Sequence, residues 1–328
     1  MESSGQACAM SKRISTCDTM TNPPETSDMA TRVRSTSDKP SRRTSPAKPS
    51  LTAAAAPATK SNGSSPSNGE TLRKLYAALL RCRLVQERAR LFDSTEYEIS
   101  LGHEAVTVGT TADLGAEDTI AASGRNLAAL VARGLPFERL LTEPDGAGGF
   151  VGSITRPSLP EDPFNVGTGI ALAHKLQKKQ NVVVAFCEKE IVSLDPWHEA
   201  LKFAGVHKLP MLYVVKSAAP NEQLSGDQPA YLEQFSFMAR DYGFPGIVVD
   251  GRDVVAVWRV AQESIHRARN GAGPTLIDCR TESARDPLEH MEHYMRKRNV
   301  WDREWKDKTE AGIAGEIQKA AGAVPAPR

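Results

Sequence analysis

Cysteine is scarce in this chain of 328 residues, and the few that occur lie far apart. No Cys-x-x-Cys pair is present, so the sequence offers neither a disulfide framework nor the thiolate spacing of a structural zinc site. Isolated cysteines of this kind are usually reduced and buried. We therefore predict inert thiols at Cys8, Cys17, Cys82, Cys187 and Cys279.

The chain also lacks long hydrophobic runs and any excess of one charge. No apolar stretch approaches the roughly 20 residues of a transmembrane helix, and the N-terminus has no apolar signal-peptide core. Lys and Arg total 41 against 40 Asp and Glu, which gives a formal net charge of +1. We therefore expect a cytoplasmic protein with neither a nucleic acid nor a membrane as its partner.

Large apolar side chains are nearly absent from residues 1–70, which are rich in Ser, Thr, Pro, Ala and Lys. Such a segment cannot bury enough surface to offset the entropy lost on ordering, so we predict a disordered arm. A transit peptide has similar Ser, Thr and Arg content, but the acidic residues argue against one. A start codon assigned too early would also explain the arm. Residues 71–328 are long enough for one large α/β domain.

Short apolar runs alternate with helical patterns over the rest of the chain. Leucines at helical spacing from Leu72 predict an amphipathic helix that opens the domain. Four solid apolar runs predict strands buried on both faces: 182–186, 211–215, 246–249 and 275–277. This alternation is typical of a mainly parallel sheet flanked by helices, which is a three-layer α/β fold. A charged helical tail is predicted from Pro287 to about Ala321.

Eight short motifs occur in one order between Leu72 and about Lys306. They are Arg83-Leu-Val-Gln-Glu87, Gly102-His-Glu-Ala105, Ala129-Leu-Val-Ala-Arg-Gly134, Val166-Gly-Thr-Gly-Ile-Ala-Leu-Ala173, His198-Glu-Ala-Leu-Lys-Phe-Ala204, Lys208-Leu-Pro210, Val249-Asp-Gly-Arg-Asp253 and Gly273-Pro-Thr-Leu-Ile277. Together they resemble the alpha subunit of the thiamine-diphosphate-dependent decarboxylating component of 2-oxo acid dehydrogenase complexes, of the pyruvate, branched-chain and acetoin type. Each motif alone is weak, but the set is a strong joint signal for fold and ancestry.

The resemblance implies a thiamine diphosphate and Mg²⁺ site built from Gly-Asp-Gly after one strand and Asn-Asn after the next. Here Glu188-Lys189-Glu190 and Ser217-Ala218 stand in those places, with 26 residues between Glu190 and Ser217. A hard cation needs oxygen ligands, so an ammonium at Lys189 and a methyl at Ala218 remove both side-chain ligands. Thiamine diphosphate is the cofactor that the resemblance implies, whereas we expect no bound Mg²⁺.

Other contacts that the resemblance implies are only partly kept. Arg125 matches a family Arg that grips the diphosphate, but Gly124 replaces the preceding Tyr and Leu127 replaces a nearby His. The connections over 91–101, 141–164 and 281–286 are shorter than in the family, and the last two lack its loop histidines. Loops at the cofactor mouth carry most of the chemistry in such folds, so these losses fall where catalysis is most sensitive.

The candidate cofactor contacts are Arg125, Gly167, Gly169 and Lys189. The ammonium of Lys189 either grips an anionic ligand together with Arg125 or pairs with a neighbouring carboxylate, and the two flanking glutamates favour the second interpretation. Gly167 and Gly169 are predicted to open a helix whose free amides could bind a phosphate, although close helix packing explains the same glycines.

We expect structural roles for the remaining polar candidates. His103 is interpreted as a helix-start residue, His198 as part of a helix packed beneath the site, Glu104 as a structural or interface carboxylate, and Cys187 as a buried thiol. No Ser-His-Asp or paired-carboxylate arrangement follows from the spacing. We therefore assign no catalytic residue.

Three functions remain open. The first is a divergent alpha-subunit homologue that has lost metal-dependent catalysis and acts as a partner or scaffold. The second is an active decarboxylating oxidoreductase subunit, and the third is a small-anion binding module. The family implies an α₂β₂ assembly, so we expect a homodimer or a complex with a beta-type subunit. Small and apolar residues around 102–105 and 198–206 are predicted to lie at subunit contacts.

Overall fold

The computed structural model describes residues 69–89, 100–122, 126–137, 154–155, 162–188, 195–217, 235–281 and 285–323. The predicted disorder of residues 1–70 concerns residues almost entirely outside these ranges, and it stays a prediction. None of the helices within the ranges is both long and apolar enough to cross a membrane.

The helices in these ranges are α1 (Gly69–Ala89), α2 (Glu104–Thr111), α3 (Leu127–Ala132), α4 (Asp162–Leu176), α5 (Asp195–Val206), α6 (Phe235–Asp241), α7 (Val254–Arg269), α8 (Pro287–Lys297) and α9 (Arg303–Ala323). The strands are β1 (Thr119–Ala121), β2 (Ile154–Thr155), β3 (Val183–Glu188), β4 (Met211–Ser217), β5 (Gly246–Asp250) and β6 (Thr275–Arg280). The four predicted strands are therefore confirmed as β3 to β6, whereas the two short strands β1 and β2 were not predicted.

The strands form one parallel sheet in the order β2-β1-β3-β4-β6-β5. Every residue of β4 is buried, which explains why its first five residues, 211–215, are a continuous apolar run and do not alternate with polar residues. All carboxyl ends lie at one edge of the sheet, and residues that follow different strands are thereby brought together.

Helices cover both faces of the sheet, which confirms the predicted three-layer α/β fold. On one face, buried residues of α4, α5 and α6 pack on β3 and β4 around Phe164, Trp197 and Tyr213. On the other face, α2, α3 and α7 pack through Val106, Ala129 and Val257. Helix α7 begins at Val254, which is buried, and its N-cap Asp253 accepts hydrogen bonds from the amides of Val255 and Ala256.

Helices α1, α8 and α9 form a cluster that packs on α2 and α3, on the side away from the sheet. Helix α1 is buried along one side, including Leu72, Leu75 and Tyr76, and packs against α2, α3, α8 and α9. The predicted C-terminal tail is two helices, α8 and α9, which are separated by a turn containing Asn299 at φ +56°. Met291 and Met295 are buried, and Trp301 contacts the ring of Tyr76.

Candidate functional site

Three positions that the family resemblance assigns to the cofactor and metal site follow adjacent strands. Arg125 follows β1, Lys189 follows β3 and Ala218 follows β4, and these strands are neighbours with Glu188 in register with Lys216. Parallel topology therefore brings the ends of these strands to one edge of the sheet. Arg125, Lys189 and Ala218 themselves lie outside the described residues, so their predicted contacts remain predictions.

Ser217, the last residue of β4, is bonded within the protein. Its side-chain hydroxyl donates to Oδ1 of Asp278 on β6 at 2.6 Å, and its carbonyl accepts from the amide and hydroxyl of Thr281 at 2.9 and 3.2 Å. Ser217 is 6% exposed and Asp278 is completely buried. The hydroxyl is thus directed towards β6 by a hydrogen bond to a buried carboxylate, the stronger kind of protein hydrogen bond.

Gly167 and Gly169 do not open a helix, so that prediction is wrong. Helix α4 begins at Asp162, which places both glycines in its interior, where backbone amides bond to preceding carbonyls. A side chain at Gly167 would approach Ala121 and Met211 at 3.0 and 3.1 Å, so this glycine lets α4 lie close to the sheet. The amide argument for phosphate binding is therefore lost, and any contact of these glycines with a cofactor stays a prediction.

The other polar candidates have structural surroundings. Nδ1 of His198 lies 2.6 Å from the hydroxyl of Tyr242, which ties α5 to the end of α6. His103 is the N-cap residue of α2. The cysteines within the described ranges, Cys82, Cys187 and Cys279, are buried, as predicted, and burial raises the pKa of Cys82 to about 12. Such a thiol is a poor nucleophile.

Two of the sequence motifs meet in a buried ion pair. Arg83 of α1 donates to both carboxylate oxygens of Glu104, at 2.5 and 3.2 Å, and also lies 2.8 Å from Asp286. Glu104 is 1% exposed. Burial alone would lower the pKa of Arg83, but its hydrogen bonds and charge pairs with the two carboxylates raise it. This pair explains why the early Arg-x-x-x-Glu and Gly-His-Glu-Ala segments occur together.

A third motif is joined to these by Arg252. Its guanidinium donates to the carbonyls of Gly102, Thr281 and Arg285 at 2.7, 3.3 and 3.5 Å. Gly102 has φ +84°, and a side chain there would meet the guanidinium at 2.5 Å. Glycine at 102 is thus required both by its backbone conformation and by the close approach of Arg252.

Asp286 caps helix α8 and supports this ion-pair cluster. Its Oδ1 accepts from the amides of Leu288 and Glu289 at 2.8 and 3.3 Å. Burial alone would raise the pKa of Asp286, but the hydrogen bond and charge of Arg83, with the two amides, lower it below its ordinary value. The contribution of this group is therefore fully present above the ordinary Asp pKa and is lost as pH falls through the lowered one.

We predict that Asp286→Asn costs at most about 1 kcal/mol of unfolding free energy near neutral pH, because the pair with Arg83 is partly exposed and the cap is kept. The difference from the unaltered protein should shrink as pH falls below the ordinary Asp pKa, since protonation then removes the same charge. Urea unfolding at neutral and acidic pH measures it. A difference that stays constant with pH would contradict the ionic interpretation.

Sequence reasoning missed Asp278 and Arg252 as organising residues. Asp278 follows the apolar residues Leu276 and Ile277 in a strand whose first five residues are buried, and a carboxylate at such a place is the signal that could have identified it. Arg252 gave no such signal, because its carbonyl partners lie far away in sequence. Within the described ranges, no group of three or more His, Cys, Asp or Glu side chains is arranged to hold a metal ion.

Comparison with known proteins agrees with the motifs. Residues 83–282 match the family described as dehydrogenase E1 component, and the chain belongs to that family. The acetoin:2,6-dichlorophenolindophenol oxidoreductase alpha subunit of Bacillus subtilis is 31% identical over 55% of this chain and 59% of its own length. The Cupriavidus necator subunit of the same name is 28% identical over 68% of this chain and 73% of its length.

A 3-methyl-2-oxobutanoate dehydrogenase alpha subunit of Mycobacterium tuberculosis is 32% identical over 65% of this chain and 60% of its own length. A solved structure of a proposed thiamin diphosphate-dependent enzyme from Mycobacterium smegmatis overlaps 55% of this chain and 31% of that one, with 18% identity and a TM-score of 0.40. The chain thus spans well under the full length of several relatives that it matches.

The residue types at the expected ligand positions, Lys189 and Ala218, do not fit Mg²⁺, because an ammonium and a methyl group cannot ligate a hard cation. The described neighbours are engaged internally. Ser217 donates its hydroxyl to Asp278, and Gly167 lies inside a helix, where its amide is not available to a phosphate.

Proposed function

We propose that this chain is a divergent alpha-subunit-like member of the dehydrogenase E1 family that has lost metal-dependent catalysis and acts as a partner or scaffold. The observation that supports this most is the pair of residues at the two expected side-chain ligand positions. Lys189 brings an ammonium and Ala218 a methyl group, and neither can ligate a hard cation. Ser217, which precedes position 218, donates its hydroxyl to the buried Asp278 and so serves internal structure.

The partner role is supported by the relatives, which are named as alpha subunits. The two segments that the sequence analysis predicts at subunit contacts are, however, mostly buried within the chain itself. All eight residues of α2 are buried inside the chain, and so are Trp197, Ala200, Leu201 and Ala204 of α5. The small residues at 102–105 and most of those at 198–206 are therefore occupied by internal packing.

A better partner surface is the outer side of α4. Val166 is 41% exposed, and Gly169 and Ala173 are exposed on the same side at helical spacing. The opposite side of α4 packs on the sheet through Phe164 and Ala171. A helix that is apolar on both sides is usually covered on both sides. We call Val166, Gly169 and Ala173 the α4 stripe and propose that it contacts a second subunit.

Thermal unfolding with thiamine diphosphate, with and without Mg²⁺, tests the loss of metal-dependent binding. A ligand that binds only the folded state stabilises it by about 2.7 kcal/mol at 100 times its Kd. We predict that Mg²⁺ adds no stabilisation to the unaltered protein. The double variant Lys189→Asp with Ala218→Asn should show a Mg²⁺-dependent stabilisation that is smaller than about 2.7 kcal/mol, because Glu188 and Glu190 still repel the diphosphate.

The outcomes separate the three functions. A Mg²⁺-dependent rise in the unaltered protein would contradict the proposal and support an active alpha subunit. A rise with thiamine diphosphate that does not depend on Mg²⁺ would support the small-anion binding module instead.

A further inference from the structure

Helices α4 and α5 end side by side at the amino edge of the sheet, opposite the candidate site. Each is followed within a few residues by a strand, β3 or β4, that starts at this edge. The ammonium of Lys175 donates to the carbonyl of His207, which joins the two helix ends. The surface formed by residues 174–179 and 202–208 is called the amino-edge patch below.

The amino-edge patch is strongly basic. Residues 164–181 and 200–217 contain no Asp or Glu. Lysine side chains in the patch are all exposed: Lys175, Lys178, Lys179, Lys202 and Lys208. Few opposing charges lie nearby. Glu117, Glu199 and Asp241 are exposed near its border, whereas Asp118 is buried and paired with Arg269. The patch therefore has a clear excess of positive charge.

Apolar side chains project from the same surface. Leu176 and Val206, the last residues of α4 and α5, are 74% and 70% exposed, and Phe203 is 39% exposed. These are three of the six large hydrophobic residues that are exposed in the described part of the chain. Apolar residues that are clustered and rimmed by charge commonly mark an interaction surface.

Two of the lysines, Lys178 and Lys208, have a backbone conformation that glycine adopts more readily. Lys178 and Lys208 have φ of +55° and +44°, in the left-handed conformation that usually ends a helix with glycine. A non-glycine residue in this region carries a conformational cost. The charge of each lysine interacts favourably with the helix end that it follows, and it adds to the positive charge of the patch.

We propose that the amino-edge patch binds the surface of an anionic lipid bilayer. A second copy of the chain would oppose lysine to lysine across the contact, which is unfavourable. Leu176 and Val206 protrude from helix ends, and protruding side chains enter a deformable lipid interface without needing a matching pocket. Their lysine neighbours can extend to the headgroups. Contact from one side requires no membrane-spanning helix, so the proposal replaces the sequence-based expectation of no membrane partner, which rested on the lack of a long apolar run. The contact is independent of the candidate site.

Co-sedimentation of the full chain with vesicles tests this proposal. Vesicles of phosphatidylcholine with about one third phosphatidylserine should bind the protein, and vesicles of phosphatidylcholine alone should not. Binding should weaken as salt is raised from 0.1 M, because screening shortens the range of the lysine charges. Equal binding to both vesicles, or binding to neither, would overturn the proposal.

The double variant Lys178→Gly with Lys208→Gly removes two charges without disturbing the fold. Glycine adopts a positive φ readily, so thermal stability should be unchanged or higher. Each lysine near an anionic surface contributes about fivefold in binding, so the affinity should fall about 25-fold. Asn299→Gly is the matched control, since Asn299 has φ +56° but lies on the turn after α8. It should bind as the unaltered protein does.

The double variant Leu176→Ser with Val206→Ser tests the apolar contribution, and Val248→Ser, at a residue 45% exposed on β5, is its control. Only the Leu176→Ser with Val206→Ser variant should bind the anionic vesicles more weakly, and this difference from the unaltered protein should persist at high salt. Undiminished binding by either double variant would overturn the proposal. So would salt-sensitive binding to soluble heparin without binding to the anionic vesicles, because it would point to an acidic polymer instead.

Discussion

Glu104→Gln should destabilise the protein by about 3 kcal/mol, since removing one partner of a buried ion pair leaves the other charge uncompensated. Arg83 would keep only Asp286, whose side chain is 31% exposed. The near-identical shape of glutamine leaves packing unchanged, so the loss reports the charge. Urea unfolding at neutral pH measures it, as a lower midpoint with an unchanged slope.

A matched control is available on the surface. Glu316 of α9 pairs with Arg81 of α1 at 2.9 Å, but their side chains are 55% and 39% exposed. Glu316→Gln should cost less than about 1 kcal/mol, because exposed ion pairs contribute little. Similar losses for the two variants would show that the Arg83–Glu104 pair does not depend on its burial.

Gly169→Arg should abolish association through the α4 stripe. Gly169 is exposed, and a side chain added there meets nothing within 4 Å, so arginine fits the isolated fold. Replacing glycine within a helix should raise stability by up to about 0.8 kcal/mol. A long charged side chain in the centre of a close helix contact should weaken association by more than about tenfold. Light scattering at tens of micromolar, alone and with a beta-type subunit, measures it.

Gly315→Arg is the control for this experiment. Gly315 also lies in a helix, α9, and has nothing within 4 Å of an added side chain. It should leave association unchanged. If Gly169→Arg associates as the unaltered protein does, the α4 stripe is not the contact. A strictly monomeric unaltered protein that ignores a beta-type subunit would remove the scaffold function altogether.

Much of the fold followed from local pattern. The strands β3, β4, β5 and β6 are solid apolar runs bounded by turns, and α7 is framed by its Asp253 cap and by the glycines after Asn270. These signals act within a few residues, so they can be read from one segment. The start of α4 was placed five residues late, because Gly167 resembles a helix-opening glycine when only the sequence is seen.

The candidate site was less accessible to sequence reasoning. Its expected positions could be named, since the residues at 188–190 and 217–218 follow strands at a recognisable spacing. The bond from Ser217 to Asp278 could not, because it joins residues 61 apart and depends on β4 and β6 being neighbours. The three carbonyls held by Arg252 are equally invisible in sequence, since any residue supplies a carbonyl.

The complete burial of α2 also constrains how the chain folds during its synthesis. Helix α7 is one of the elements that enclose α2. The contacts between them are distant in sequence: the indole N–H of Trp258 on α7 donates to Asp113, just after α2 and 145 residues earlier. An eight-residue helix is too short to persist alone, and α2 lacks this cover until α7 has been synthesised. We therefore expect α2 to become stable only after α7 has emerged from the ribosome.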